Sequence, residues 1–202
     1  MKSSDPQKLY DEIKDKAKVV AVTKNHSWDE VSWIYDAGCR NFGENKVQEA
    51  LVKIAQAPSD INWHFIGTLQ KNKVSKVVGK FALIQSVDSL ELAQKISSTN
   101  IPTPILLQVN IAHEHGFTPD DLRRDFPALQ ALPNLSVQGL MTIAPFTSDP
   151  TPIRSCFRNL RLLRDELHLK ELSMGMSNDY PIALDEGATI LRLGTVFFGP
   201  LV

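Results

Sequence analysis

The chain has only two cysteines in 202 residues, Cys39 and Cys156, and they form neither a CxxC pair nor any metal-ligand spacing. Two thiols cannot build a disulfide framework, so the expected location is the reducing cytoplasm, and no metal partner is expected. Long apolar runs are missing too. None approaches the roughly 20 residues that span a bilayer, so no membrane association is expected. The first residues, MKSSDPQKLYDEIKDKAK, are charged throughout and lack the apolar middle of a signal peptide. Nor does charge of one sign dominate: 22 Lys and Arg stand against 23 Asp and Glu, a net charge of −1. No global field therefore recruits nucleic acid or an anionic membrane. Walker A, GxGxxG and nucleophile-elbow sequences do not occur.

What is present is an ordinary globular composition, 43% hydrophobic and 22% charged, in a length suited to one large core. A short apolar run followed by a polar, helically spaced segment recurs down the chain. The runs are VVAVT (19–23), NFGE (41–44), WHFIG (63–67), FALIQSV (81–87), PILLQVN (104–110), SVQGLMTI (136–143), ELSMGM (171–176) and TILRLG (189–194). They are near-continuous rather than alternating, as in parallel strands covered on both faces. Helices are expected between them. One spans 28–37 and ends at Gly38, one is capped by Asp88 or Ser89, one opens at Thr118-Pro119, and a long one covers 151–168. A short helix, PIALDE, is expected to be capped by Ser177 or Asn178 and closed by Gly187. Residues 1–18 carry an N-terminal helical segment ahead of the first strand. Eight strands alternating with about seven internal helices point to a single-domain (β/α)8 barrel over 1–202, with an open doubly wound sheet as the rival arrangement.

Functional groups of such a barrel collect at the C-terminal ends of its strands. Lys24 directly follows VVAVT. Its stem is expected to leave the rim beside a desolvated core, where an amine becomes a nucleophile toward aldehydes; the alternative is a lysine that simply reaches solvent. Ser177 and the pair Gly194-Thr195 follow the seventh and eighth runs, where this fold frequently builds a phosphate site from hydroxyls and closely approaching backbone. Each is also readable as an ordinary cap or turn residue. Arg192 shares a strand face with Gly194 and needs an acceptor, either a ligand's ring nitrogen or a carboxylate in a structural salt bridge. Asn45 orients a ligand or caps the helix VQEALVKIA. His64, between Trp63 and Phe65, reads as a satisfied core or rim histidine. Lys73, Lys76 and Lys80 read as a solvated helical side, with an RNA- or protein-binding patch as the alternative; no aromatics are interleaved to stack on bases. Met174 and Met176 read as core packing within a strand.

The ordered segments AVTK, NFGENKVQE, WHFIGTLQKNK, VQGLMTI, SMGMSND and RLGTVFFG resemble the pyridoxal phosphate homeostasis protein family, single-domain relatives of the alanine racemase barrel. The resemblance runs from about residue 19 to 199. It implies a (β/α)8 barrel and pyridoxal 5′-phosphate as cofactor, held as a Schiff base on Lys24. It further implies phosphate contacts from Ser177, Gly194 and Thr195, Arg192 facing the pyridine nitrogen, and Asn45 and His64 bordering the ligand. A guanidinium there makes the ring a poorer electron sink than a carboxylate would. Related racemases add a tyrosine from a second domain, whereas this chain ends at Val202 and none of Tyr10, Tyr35 and Tyr180 has a claim to that role. The expected function is cytoplasmic cofactor storage and delivery in vitamin B6 homeostasis, with apo-forms of pyridoxal phosphate-dependent enzymes as recipients and a monomer as the working unit. A racemase or lyase is the alternative. One segment departs from the family pattern: NIAHEHGFTPDDL is short and lacks the lysine usual before its glycine.

Overall fold

The computed structural model describes residues 5–111 and 115–199. Its eight strands close into a barrel in chain order, every neighbouring pair parallel. They are β1 (Lys18–Val22), β2 (Asn41–Glu44), β3 (Asn62–Phe65), β4 (Leu83–Val87), β5 (Thr103–Gln108), β6 (Leu135–Met141), β7 (Glu171–Ser173) and β8 (Ile190–Leu193). Each grows from one of the eight apolar runs, and closure rules out the open sheet. The helices are α1 (Pro6–Ile13), α2 (Trp28–Asp36), α3 (Val47–Gln56), α4 (Val74–Val77), α5 (Leu90–Ser97), α6 (Pro119–Gln130), α7 (Pro150–Glu166), α8 (Tyr180–Asp185) and α9 (Thr195–Phe198).

Alternation along the strands divides the core in two. On β1, Val19 and Ala21 join a large cluster between strands and helices, while Val20 joins Leu83, Leu106, Met141 and Ile190 inside the barrel. β8 does the same: Leu191 and Leu193 face the helices, and Ile190 faces inward. Period-two geometry then turns Val22 and Arg192 inward toward the C-terminal mouth. The helix boundaries have local causes. Ser27 and Glu30 form a capping box on α2, Ser89 rather than Asp88 caps α5, and Thr118 caps α6 with Pro119 in its first turn.

Three expectations are corrected. Ser177 and Asn178 do not cap α8, whose N-cap is Asp179; Ser177 turns toward α9 instead. Met174 and Met176 both lie beyond β7, which ends at Ser173; Met174 is buried, whereas Met176 follows Gly175, with its φ of +93°, and is 37% exposed rather than core. Lys73, Lys76 and Lys80 share no continuous helix side. A single 3-10 turn covers Lys71–Lys73, α4 runs only from Val74 to Val77, and Gly79 reverses the chain before Lys80. Of the unusual segment 110–122 after β5, residues 112–114 lie outside the described residues. No helix among the described residues is long and apolar enough to cross a membrane, and no group of three or more of their His, Cys, Asp or Glu could hold a metal.

Candidate functional site

A cavity of about 750 Å³ opens at the C-terminal ends of the strands. Six sequence candidates line it: Lys24 after β1, Asn45 after β2, Ser177 after β7, and Arg192, Gly194 and Thr195 on and after β8. These residues lie as far as 171 positions apart in the chain and meet only because the barrel closes.

Lys24 sits in a turn rather than in a desolvated niche. The His26 amide donates to the Thr23 carbonyl at 3.2 Å, Asn25 takes the left-handed conformation with φ 61°, and Lys24 itself is exposed. Asparagine tolerates that conformation better than most residues, which places the Lys24 stem on the rim. The expected burial of this lysine is therefore not found. Its root, by contrast, is held firmly by a buried set that sequence reading did not single out. Glu44 and Lys53 form an ion pair at 2.5 Å, the Thr23 hydroxyl donates to the same Glu44 oxygen, and the Lys53 ammonium also donates to the Thr23 carbonyl.

Arg192 is 5% exposed, yet it donates to neutral acceptors: Nη1 to Ser173 Oγ at 2.6 Å and Nη2 to the Thr142 carbonyl at 2.8 Å. It makes no salt bridge among the described residues, so the structural-bridge reading is not met. Burial lowers its pKa to about 10, partly offset by Asp179, and the guanidinium stays cationic at neutral pH. A buried cation whose partners are neutral favours an acceptor on its cavity side. Asn45 does not cap α3, whose N-cap is Lys46; its Oδ1 is buried without a hydrogen-bond partner at the cavity wall. A buried unpaired amide oxygen is costly unless a ligand donor meets it. Ser177 is buried and its Oγ accepts from the Val196 amide at 3.2 Å, tying the loop after β7 to the start of α9.

His64 is the candidate that the cavity wall leaves out. It is buried inside the barrel, where Gln85 Nε2 donates to its Nδ1 at 2.8 Å and its Nε2 donates to Asn41 Oδ1 at 3.3 Å. Ser173 links this pair to the site, because its hydroxyl donates to Gln85 Oε1 at 2.6 Å while accepting from Arg192. A directed chain therefore runs from Arg192 through Ser173 and Gln85 to His64. Wall residues not anticipated include His26, Thr68 and Gln108, together with an apolar lip of Met176 and the 98% exposed Phe146. His26 follows Lys24 by two residues, and its strand-end position was the one signal available. No tyrosine lines the cavity. Burial pushes Tyr10 up to about 12, and Tyr35 donates to Asp60. Burial likewise pushes the Cys39 and Cys156 thiols up, which makes both inert.

Gly67 is a fixed point of the wall. A Cβ there would lie 2.1 Å from the Asn45 carbonyl oxygen, which is main chain and cannot move aside cheaply. Gly67→Ala is expected to lose more than about 1 kcal/mol of stability, read as a lower melting temperature, because β2 and β3 must separate at the mouth.

This arrangement defines a barrel of the alanine racemase N-terminal domain class, and that family's model matches residues 7–201. The chain is 43% identical over 197 residues to the pyridoxal phosphate homeostasis protein of Aquifex aeolicus, covering 91% of this chain and 86% of that one. Identity to the protein of the same name from Synechocystis sp. is also 43% over 197 residues, covering 90% of each. The chain belongs to the pyridoxal phosphate homeostasis protein family. Among solved structures, PipY of Synechococcus elongatus with PLP bound superposes with a TM-score of 0.90 at 37% identity, covering 96% of this chain and 100% of that one. Alanine racemase from Corynebacterium glutamicum, at 20% identity and a TM-score of 0.79, shares the fold; 96% of this chain matches 59% of that one.

Proposed function

We propose that this protein binds pyridoxal 5′-phosphate at the barrel mouth and serves as a reversible carrier of it in the cytoplasm, not as an enzyme that turns over substrate. The observation carrying this reading is the convergence of Lys24, Arg192 and the Ser177–Gly194–Thr195 corner on one cavity. When bound, the cofactor supplies an aldehyde that adds reversibly to a primary amine. Lys24 is the amine within the wall that can add to it, and its exposure suits a bond that must also be undone. Ser177, Gly194 and Thr195 supply hydroxyl and backbone groups for the phosphate, with Gly194 leaving room for close approach. Arg192 presents a buried cation toward an unprotonated ring nitrogen, and Asn45 Oδ1 offers an unused acceptor. His64 acts behind the wall through Gln85 and Ser173 rather than by contact.

The carrier reading is favoured over racemase or lyase chemistry by the composition of the wall. Racemisation needs a second acid/base group across the ring from the lysine. His26, the histidine of the wall, comes from the same turn as Lys24. Titration with pyridoxal 5′-phosphate, followed by visible absorption, tests the binding: a saturable imine band is expected, and its absence sinks the proposal. Incubation of the loaded protein with amino acids in deuterated water is expected to give no α-proton exchange above free cofactor. Exchange well above that level would make the protein an enzyme.

A further inference from the structure

We propose that Glu44, Lys53 and Thr23 form a buried clamp that fixes the root of Lys24, which makes them positioning residues for covalent capture of an aldehyde. This rests on the reading that Lys24 condenses with pyridoxal 5′-phosphate. In that step the amine nitrogen forms a C=N bond, and the carbonyl oxygen leaves as water with both amine hydrogens; no oxidant or reductant takes part.

The clamp is built from three elements. Thr23 is the last residue of the first run, and its amide donates to the Gly43 carbonyl at 3.1 Å, just past the registered pair Val22–Gly43. Beyond this bond the chain leaves the sheet, and the turn carrying Lys24 begins. The Thr23 carbonyl is the hinge of that turn. It accepts from the His26 amide, which closes the turn, and from the Lys53 ammonium, which anchors the turn to α3. The Thr23 side chain is held as well, through its hydroxyl on Glu44 at 2.5 Å. Both the main chain and the side chain of the residue before Lys24 are thus bound to one ion pair.

Lys53 stands on the buried face of α3 with Val47 and Ala50, and it is the only buried lysine among the described residues. An aliphatic residue would fill that position without desolvating a charge. A buried ion pair is a weak device for stability, since well-packed apolar replacements are often equally stable. Anchoring is what it does that an aliphatic pair cannot. The need is plain from the other end of Lys24: the side chain is exposed and has a flexible four-carbon stem, so only its root can limit where the amine goes. On this helix Glu49 is held below the usual carboxylate range, first by its hydrogen bond from Lys46.

The test separates capture from non-covalent binding. Imine formation with pyridoxal 5′-phosphate is measured by visible absorption, and affinity for 4′-deoxypyridoxine 5′-phosphate, which has no aldehyde, by calorimetry. The variant is the neutral double replacement Glu44→Gln with Lys53→Met, checked for native circular dichroism. The imine-formation constant is expected to fall at least tenfold while affinity for the deoxy analogue stays within twofold. Unchanged imine formation, or equal loss for both ligands, overturns the clamp. If the double variant does not fold, Thr23→Val removes only the hydroxyl bond and must show the same split at about threefold; its absence there is equally decisive. A wild-type protein that binds the deoxy analogue but forms no imine would instead refute the Schiff-base reading itself.

Discussion

Lys24→Ala is expected to abolish the visible imine band and to weaken retention of pyridoxal 5′-phosphate by about a hundredfold, roughly 2.7 kcal/mol. The melting temperature should shift by no more than about 2 °C, because exposed substitutions rarely cost more than about 0.5 kcal/mol. The two results belong together. Lys24 is exposed and follows a residue whose own anchoring does not involve the lysine side chain. Phosphate and ring contacts remain in the variant, so binding should weaken rather than vanish. An imine band of undiminished strength in Lys24→Ala would move the capture to another lysine, and a collapse in stability would make Lys24 structural. Absorption titration and thermal unfolding on the same samples decide between these outcomes.

The second large effect concerns acid. His64 is buried and held as the neutral Nε2–H tautomer, since its Nδ1 accepts from Gln85. Desolvation, with a smaller push from Lys18, lowers its pKa from 6.5 to about 3. The folded state therefore binds fewer protons at this site than the unfolded chain between those two values. Stability from the site is complete above pH 6.5 and declines as pH falls toward 3. At pH 5 the loss should be about 2 kcal/mol relative to pH 7.5. The clean measurement is a difference. Denaturant unfolding of wild type and His64→Gln at both pH values should show the wild type losing about 2 kcal/mol more than the variant. Equal pH dependence would mean that His64 is not buried neutral. Protonation would also reverse the donor that Gln85 offers, so the chain to Ser173 and Arg192 should loosen, and cofactor affinity should fall alongside stability.

Much of this protein could be read from its residues in order. Eight near-continuous apolar runs imply strands covered on both faces, and such strands between helices pack as a parallel sheet, either closed as a barrel or open. Position along those runs marked Lys24, Asn45, Ser177 and Gly194-Thr195 as strand-end residues, and period two placed Arg192 on the face of Gly194. These are local properties, set by a residue's place in its own strand. Closure of the barrel decided the rest. It brought Lys24 and Arg192 to one cavity and left His64 below it, although all three sit on or just after strands, because depth along the barrel depends on register between strands. It exposed Met176 where hydrophobicity suggested core, since the loop after Gly175 leaves the strand layer. It also joined Thr23, Glu44 and Lys53 behind Lys24. A lysine within an amphipathic helix and a glutamate ending a short strand carry no mark of being partners. Burial and hydrogen bonding across elements make them so, and those exist only once strand and helix have packed.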